Sequence, residues 1–337
     1  MLLAVAYHYV AERAPARPRA IFPVTIECLR AQVELLARSF ELVSRDELLA
    51  AVDGESALPE RACVLTFDDG LRCHAELALP VLEQLGAPAI FFVPGRPLAE
   101  GRMLSVHKVH ALRERLDERE FAERLDELLA HRGIEAPQVS DAEAAARYRY
   151  DSAEAARVKF LLNAALRPRE RGPIVDALFE REFPDERVFA AELYLDGAQV
   201  AELEHSHHSV GAHSYEHEAL ALLAPRDLAR DVRRVSGVLA DLTGAAPRAF
   251  SYPYGTAAAV SAATAQGLQR AGYSAAFTME RALNRTLDEP LLLARLDTND
   301  APGGKRPLLD VNGGARVLGP GITLARERYF HEVEMLT

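Results

Sequence analysis

Two adjacent carboxylates, Asp68 and Asp69, follow the apolar run ACVLTF (62–67) and precede Gly70. Carboxylates placed side by side repel each other, and a single aspartate normally suffices for a turn. A metal ion removes this conflict, because one carboxylate binds the cation while the other stays free as a base. The alternative is an aspartate-rich turn that caps the following helix. Taken alone, the Asp-Asp-Gly string leaves both interpretations open.

Two histidines, His213 and His217, stand four residues apart in HSYEH, directly after the run SVGA (209–212). This spacing lets two imidazoles reach one ion if the segment becomes helical. With Asp69 they supply two nitrogens and one oxygen, the usual protein ligands of a hydrolytic zinc with water in the open position. A pair of surface histidines is the alternative, and the combined pattern favours the metal. We predict one divalent ion, zinc, with cobalt or nickel as alternatives.

Three segments, TFDDG (66–70), HSYEH (213–217) and SYPYG (251–255), resemble in order the first three motifs of the polysaccharide deacetylases. These enzymes are also known as carbohydrate esterase family 4 or NodB-homology domains. The resemblance covers roughly 2–103 and 189–300 of the chain. It implies an α/β fold, a distorted and incomplete (β/α)7 barrel of about seven strands with its site at the carboxyl ends of the strands.

Carried over motif by motif, the resemblance also implies roles for individual residues. Asp68 matches the base that deprotonates the attacking water, and Asp69, His213 and His217 match the metal ligands. The ion would lower the pKa of its water and polarise the acetamide carbonyl. The implied activity is that of a metal-dependent N-deacetylase.

The third motif departs from the family pattern at Ser251, where the family often carries an arginine that orients the base. Arg295, in the run LLLARLD, is a candidate replacement, steadied by Asp297; a surface Arg–Asp pair is the alternative. A backbone N–H near Tyr254 would help to hold the oxyanion, with Pro253 beside it in the site wall. A plain strand-ending turn in which Tyr254 packs is the alternative for this segment.

The general acid has no candidate in the expected place, because the chain contains no tryptophan and no late Leu-x-His motif; after His217 the only histidine is His331. Amide cleavage needs an acid, since an amine leaves poorly unprotonated. We assign the role to His8, which ends the first predicted strand and should open onto the face of Asp68. AYHYV also resembles the Tyr-His opening of the exopolysaccharide deacetylase branch, where an N-terminal histidine has this role. A histidine satisfied within the core is the alternative.

Other chemistry-bearing side chains are given structural interpretations. The histidines of EHSHHSV (204–210) are expected at a solvated helix end, and Cys73 and His74 are expected to pack. His107 and His110 are predicted either to line the substrate pocket or to take a structural role at a hinge.

Apolar runs that alternate with helical patterns predict a parallel sheet covered on both faces. The predicted strands are 2–7, 62–67, 89–94, 209–214, 249–255, 273–278 and 291–297. The predicted helices between them are 26–39, about 45–53, 72–86, 225–243 and 257–271.

Between about 104 and 188 the strand rhythm stops and helical patterns replace it. One apolar stripe predicts a helix over 111–131. Further helical stretches are expected at 141–147, 152–166 and 172–182. We therefore divide the chain into a deacetylase-like barrel, 1–103 and 189–337, and a helical insertion, 104–188. Because the insertion follows FFVPG at the expected site end, it is predicted to form a lid or side wall.

Acidic residues outnumber basic ones, 50 to 39, which gives the 337-residue chain a formal charge of −11. This balance argues against nucleic acid or an anionic membrane as the main partner. No apolar run approaches the roughly 18–20 residues needed to cross a bilayer. The three cysteines are too few for a disulfide framework and match no zinc-finger spacing. The start, MLLAVAYHYVAER, lacks a basic leader and a small-residue cleavage site, which predicts a cytoplasmic protein.

These observations predict a hydrolase that removes an N-acetyl group from an amino sugar or glycan-like intermediate. The expected partner is therefore an N-acetylated sugar or a related small molecule, and the oligomeric state stays open. One alternative is hydrolysis of another non-peptide C–N bond, such as a cyclic amide or a formamide. The other is an inactive sugar-binding protein, against which the four intact residues of the first two motifs argue.

Overall fold

A parallel β-sheet, curved into a half-barrel with helices around it, confirms the predicted distorted (β/α) barrel. The computed structural model describes residues 1–16, 19–135, 140, 142, 144, 152–162, 166, 168–311 and 316–317. In sheet order the strands are β10 (Leu296–Asp297), β1 (Leu2–Tyr7), β5 (Ala62–Phe67), β6 (Ala89–Val93), β7 (Ser209–Ala212), β8 (Ala249–Ser251) and β9 (Ala275–Phe277), with β4 (Glu41–Leu42) beside β5. Two short pairs lie outside this sheet, β2 (Val10–Ala11) with β3 (Val24–Thr25) and β11 (Leu309–Asp310) with β12 (Arg316–Val317).

Both faces of the sheet are covered, as the continuous apolar runs predicted. Strands β1 and β5 pair in register to their last residues, Tyr7 and Phe67. Successive residues of β1 enter different apolar clusters, with Leu3 and Tyr7 in one and Leu2 and Ala4 in the other. A strand with two buried faces needs apolar residues throughout, which explains why the alternation expected of a half-exposed strand is absent here.

The run LLLARLD was expected to be a strand over 291–297, and most of that prediction is wrong. The chain instead makes a 3-10 turn at Pro290–Leu292. Leu293 then forms an isolated parallel bridge with Phe277 of β9, and β10 pairs with β1. The side chain of Asn284 explains the difference, because its Oδ1 accepts from the backbone N–H of Ala294 at 2.8 Å. Its amide also donates to the carbonyl of Ala294 at 3.0 Å, so a side chain takes the polar groups that a strand neighbour would bind.

The helices over 26–39, 45–52 and 225–243 begin and end within a residue of their predicted bounds. In chain order the helices are α1 (Ile26–Ser39), α2 (Arg45–Val52), α3 (Leu79–Leu85), α4 (Gly95–Glu100), α5 (Ser105–Arg115), α6 (Glu118–His131), α7 (Ala153–Phe160), α8 (Pro168–Glu182), α9 (Glu186–Leu193), α10 (Gly197–His205), α11 (Pro225–Thr243) and α12 (Ala262–Arg270). A π-helical turn, His74–Ala78, precedes α3 in the region predicted as one helix. Helix α12 starts later than expected because Ser261 is its N-cap. Helices α4 and α9 were not predicted, and for α10 only its end near His205 was expected.

The chain divides into two compact units, and every candidate site residue among those described lies in the first. The first unit comprises Met1–Ala14, Pro23–Gly101 and the chain from Ala191 onward. The second comprises Arg102–Ala190, close to the predicted 104–188, together with Pro15–Phe22, which the sequence analysis had left in the barrel. Within the second unit, Glu114 of α5 accepts from the backbone N–H groups of residues 19–21, which explains why this early segment folds with the helices.

The second unit is helical, but the helix predicted over 111–131 is two helices. Leu116 is extended, and Asp117 begins α6 by accepting from the N–H of Glu120 at 2.8 Å. This N-cap ends the helical hydrogen-bonding pattern although the apolar stripe continues across the break. The stretch predicted at 141–147 lies largely outside the described residues. No helix among the described residues is long and apolar enough to span a membrane.

Candidate active site

Four strands deliver candidate residues to one edge of the half-barrel. Strands β1, β5 and β7 are followed directly by His8, Asp68 and His213, and β8 ends at Ser251. Since parallel strands share a direction, these side chains collect at the carboxyl edge of the sheet. The full-length register of β1 on β5 places His8 beside Asp68.

The three predicted metal ligands converge. Asp69 Oδ1 lies 3.3 Å from His213 Nε2 and 3.2 Å from His217 Nε2, and all three residues are buried. A tetrahedral ion with bonds of about 2.0–2.1 Å holds its ligand atoms about 3.3 Å apart, so the observed spacing suits such an ion. Among the described residues this is the one group of His, Cys, Asp or Glu side chains placed to hold a metal.

The second nitrogen of His213 supports the same interpretation. Its Nδ1–H donates to the carbonyl oxygen of Ser251 at 2.8 Å. A carbonyl partner on Nδ1 leaves the lone pair on Nε2, which is the atom that faces Asp69. The donor set and its geometry therefore fit a divalent ion.

The segment from His213 to His217 is a bent loop, so the helical turn favoured by the four-residue spacing is not present. Ser214 and His217 have left-handed φ angles of 57° and 56°. The Oγ of Ser214 accepts from the N–H of His217 at 2.8 Å. The two amides between them, which a helix would bond to its own carbonyls, are bound by the side chain of Asp231. The loop still brings both imidazoles to one point.

Asp68, the predicted base, is buried and bound by Arg295. The guanidinium donates from Nη1 to Oδ1 at 2.8 Å and from Nη2 to Oδ2 at 2.7 Å. Arg295 has no exposed surface, so the alternative of a surface Arg–Asp pair is wrong. Asp297 does not steady it, since that carboxylate accepts from the backbone and side chain of Asn299 instead.

Ser251 completes the hydrogen-bond network of Asp68 and Arg295, and it stands where the family motif often carries an arginine. Its hydroxyl donates to Asp68 Oδ2 at 3.0 Å and accepts from Arg295 Nη2 at 2.8 Å. Burial alone would raise the pKa of Asp68, but the charge and the hydrogen bonds of Arg295 outweigh it and hold the pKa well below its usual value. Asp68 is therefore ionised over the whole physiological pH range.

His8 lies at the solvent-exposed side of the hydrogen-bond network formed by Asp68, Arg295 and Ser251. Its Nε2 is 4.0 Å from Asp68 Oδ2, and 38% of its side chain is exposed, so the alternative of a core histidine is wrong. The backbone carbonyl of His8 accepts from Nε2 of the buried His74 at 2.8 Å. Burial lowers the pKa of His74 to about 4, which keeps this ring neutral. The ring is buried against Phe67 and Phe91, so His74 packs as expected.

Tyr254 lies beside the predicted metal ligands. Its ring meets that of His217 edge to face, with centroids 5.0 Å apart, and its φ is left-handed at 62°. The turn after it is tight, because a Cβ added at Gly255 would lie 2.5 Å from the backbone nitrogen of Met279. Pro253 is buried in the same turn. The segment is thus both a strand-ending turn and a wall of the ligand cluster.

A protein-family model described as polysaccharide deacetylase matches residues 55–127 and 178–276, just over half of the chain. The chain belongs to the polysaccharide deacetylase family. The matched ranges include Asp68, Asp69 and both histidine ligands, whereas His8 and Arg295 lie outside them. The family supports an enzyme that acts on a carbon–nitrogen bond of a glycan.

Solved structures of other deacetylases share the fold of this family member. The Streptococcus pyogenes deacetylase PplD in complex with acetate is 14% identical, with a TM-score of 0.55 over 88% of this chain and 91% of that one. IcaB from Ammonifex degensii is 18% identical, with a TM-score of 0.54 over 88% and 90%. A de-N-acetylase from Aggregatibacter actinomycetemcomitans is 17% identical, with a TM-score of 0.53 over 88% and 94%. No curated protein matches the sequence.

The histidines outside the site of this deacetylase-family chain differ in their environments. His208 is buried and packs edge-on against Phe91 at 5.7 Å, so the expectation of a wholly solvated cluster is wrong for this residue. His205 and His207 are exposed near the end of α10, as expected. In the second unit, His107 is buried and meets His110 edge to face at 5.7 Å. Whether these two line a substrate pocket stays a prediction.

Several residues that hold the site were not predicted from the sequence. Thr66 and Ser251 both bind Arg295, and Asp231 binds the loop between the histidine ligands. The burial of Asp231 could have been predicted from the sequence, because it falls on the apolar stripe of α11 beside Leu228 and Val232. An acid at such a position predicts a buried polar partner.

Proposed function

We propose that this protein is a metal-dependent hydrolase that removes an N-acetyl group from an amino sugar of a glycan or glycan-like molecule. One observation carries the proposal. A buried carboxylate, Asp68, is held ionised by Arg295 next to a separate group, Asp69 with two imidazoles, that fits a divalent ion. Family membership supplies the class of bond and of substrate.

Asp69, His213 and His217 would hold the ion. When bound, a divalent ion supplies Lewis acidity, which polarises the acetyl carbonyl and makes a nearby water more acidic. Zinc suits two imidazoles and a carboxylate, and cobalt and nickel accept the same ligands.

Asp68 acts as the general base in this proposal. Its Oδ1 accepts one hydrogen bond from Arg295, which leaves a second acceptor position on that oxygen for the proton of the attacking water. The water oxygen forms a bond to the carbonyl carbon as its proton passes to Asp68, and a tetrahedral oxyanion results. A backbone N–H near Tyr254 is our candidate to donate to that oxyanion.

His8 acts as the general acid. The C–N bond breaks as the oxyanion collapses, and His8 Nε2 donates its proton to the departing amine. The products are the free amino sugar and acetic acid, which loses the water's second proton to solvent and becomes acetate. The first proton, left on Asp68, also returns to solvent, because Arg295 holds the pKa of that carboxyl well below its usual value. Because the His8 ring is partly exposed, it can take up a new proton from solvent.

The substrate class follows from the family and from the charge of the chain. One solved relative is described as a de-N-acetylase, and another is described in complex with acetate, which is the acid product expected here. A net charge of −11 supports an uncharged or weakly charged glycan over nucleic acid or an anionic membrane. The cytoplasmic location and the lid-like insertion stay predictions.

The test is a panel of N-acyl compounds assayed with the zinc-loaded protein for both acetate and new amine. The panel contains N-acetylglucosamine oligomers, nucleotide-linked N-acetyl sugars, an N-formyl sugar and cyclic amides. Equal yields of acetate and amine from one or more N-acetyl sugars support the proposal. Turnover only of the formyl or cyclic amides would assign the other C–N hydrolase activity, and a metal-loaded protein inert towards every compound would indicate a binding protein.

A further inference from the structure

The loop between the two histidine ligands holds a backbone that it would not adopt by itself. Ser214 and His217, neither of them glycine, have left-handed φ angles. Such angles place the Cβ against the backbone and persist only where surrounding contacts impose them. His213 and His217 can meet Asp69 only while this bend is kept, so the contacts that impose it matter to the metal site.

Asp231 of α11 supplies two of those contacts. Its Oδ1 accepts from the backbone N–H of Tyr215 at 2.9 Å, and its Oδ2 accepts from that of Glu216 at 3.1 Å. The carboxylate is buried, and its apolar surroundings raise its pKa to about 6. Burying a carboxylate costs free energy. Here each of its two oxygens accepts from one of two successive backbone amides, an arrangement that fits the bent shape of this loop.

The other side of the loop is also held, by α4 and the side chain of Tyr215. The N–H groups of Gly95 and Arg96 donate to the carbonyls of Ser214 and Tyr215 at 3.1 and 3.0 Å. The Tyr215 hydroxyl donates to Glu100 at 2.8 Å. Gly95 permits this approach, because a Cβ there would lie 2.5 Å from the Tyr215 ring.

The contacts from α4 fix the position of the loop, and Asp231 binds the backbone N–H groups of Tyr215 and Glu216 within it. We infer that Asp231 is a positioning residue for the metal ligands His213 and His217, acting through the backbone of Tyr215 and Glu216. The inference rests on the proposed function only in requiring a metal at these ligands. Asp231 holds the loop in the bend that aims both imidazoles at one point, so its loss loosens the ligand geometry.

The test compares the wild type with Asp231→Asn and with Asp241→Asn, an exposed carboxylate on the same helix. Asparagine keeps the shape of Asp231 but offers one acceptor oxygen, so one of the two amides loses its partner. The probe is Co²⁺ alone, titrated against a competing chelator and followed by its visible absorption bands. We expect Asp231→Asn to bind Co²⁺ about 10- to 100-fold more weakly, with changed bands, and Asp241→Asn to match the wild type.

Equal Co²⁺ affinity and identical bands in Asp231→Asn and the wild type would overturn the inference. A wild type that binds no divalent metal would overturn it together with the metal site. A wild type that binds Co²⁺ but releases no acetate from any N-acetyl sugar would instead contradict the proposed function alone, since the comparison of affinities needs no turnover.

A second measurement keeps the inference testable if Asp231→Asn does not fold. In the metal-free wild type, the amides of Tyr215 and Glu216 should exchange slowly with deuterium, because both donate to a buried carboxylate. Exchange of these two amides as fast as that of an exposed loop would show that Asp231 does not hold them, which would overturn the inference.

Discussion

Arg295 and Asp68, 227 residues apart in the sequence, form a fully buried bidentate ion pair at the centre of the candidate active site. Both oxygens of the carboxylate are bound at 2.7–2.8 Å, which fixes the plane of the group as well as its position. Asp69, the adjacent residue, points its carboxylate at two imidazoles instead. Asp68 and Asp69, although adjacent in the sequence, therefore have different partners: a guanidinium for Asp68 and two imidazoles for Asp69.

The first prediction concerns this pair. Arg295→Lys keeps a positive charge but loses the planar two-point contact, so we expect turnover to fall roughly 10- to 100-fold while zinc content is unchanged. Arg295→Met leaves Asp68 buried without its partner and should lower the free energy of unfolding by about 3–5 kcal/mol. Initial rates of acetate release and denaturant unfolding curves measure the two effects.

The exposed pair Arg248 and Asp53 provides the control for Arg295, with an N–O distance of 2.8 Å at the surface. Because water screens such a pair, Arg248→Lys should change the free energy of unfolding by less than about 1 kcal/mol and leave turnover unaltered. Equal behaviour of the two lysine variants would show that the buried geometry of Arg295 has no part in catalysis.

A second prediction separates the acid from the base. His8→Ala should lower the rate of amide hydrolysis roughly 100-fold or more, because the amine must then leave without a donated proton. Hydrolysis of p-nitrophenyl acetate should be nearly unaffected, since its phenolate leaves without help. His207→Ala, at an exposed histidine, is the control. If His8→Ala slowed both substrates equally, or neither, the acid role would be wrong.

A third prediction concerns pH and the buried His208. Burial lowers the pKa of His208 to about 4. In the unfolded chain the ring takes up a proton near its ordinary pKa of about 6.5. The unfolded state therefore binds more protons between pH 6.5 and 4, so stability should fall as the pH drops through this window, by about 2 kcal/mol from this residue at pH 4.5.

His208→Phe should remove that part of the pH dependence and leave the remainder, because His74 is buried with a pKa lowered in the same direction. The measurement is the free energy of unfolding by urea at pH 6.5, 5.5 and 4.5, with a chelator present so that metal binding does not contribute. His207→Phe is the exposed neighbour for comparison. A slope identical in wild type and His208→Phe would contradict the assignment.

A fourth prediction concerns the base itself. Asp68→Asn removes the proton acceptor but leaves the three ligand side chains in place, so turnover should fall roughly 100- to 10,000-fold. The apparent affinity for substrate should change much less, as judged from KM. An Asp68→Asn protein with wild-type turnover would show that another group accepts the proton of water.

The sheet and the convergence of the predicted ligands could be predicted from the sequence, because both leave local signals. ACVLTF is apolar throughout since β5 is buried on both faces, and the acids of the next two positions stand out against it. The motifs correctly predicted that the side chains of Asp69, His213 and His217 lie close together. Helix α1 was predicted to its end residues because its apolar spacing marks it clearly, and in the structure Thr25 caps its first turn.

The other features of the site could not be predicted from short segments of the sequence, because they depend on contacts between distant parts of the chain. Arg295 follows an apolar run whether it lies buried or at the surface, and its partner is 227 residues away. Just before it, the side chain of Asn284 binds the backbone of Ala294 in place of a strand neighbour. Likewise, the spacing of the histidine pair suggests a helix, whereas Asp231 from the next helix binds the amides and bends the loop.

In the proposed site, Asp69, His213 and His217 hold one ion while Asp68 stays outside its coordination. Elemental analysis of the wild type, Asp68→Asn and His213→Ala, after zinc loading and dialysis, measures this division of roles. We expect close to one zinc per chain in the wild type and in Asp68→Asn, and little or none in His213→Ala, because only the last variant removes a ligand. Full zinc in His213→Ala, or its loss in Asp68→Asn, would contradict this account of the site.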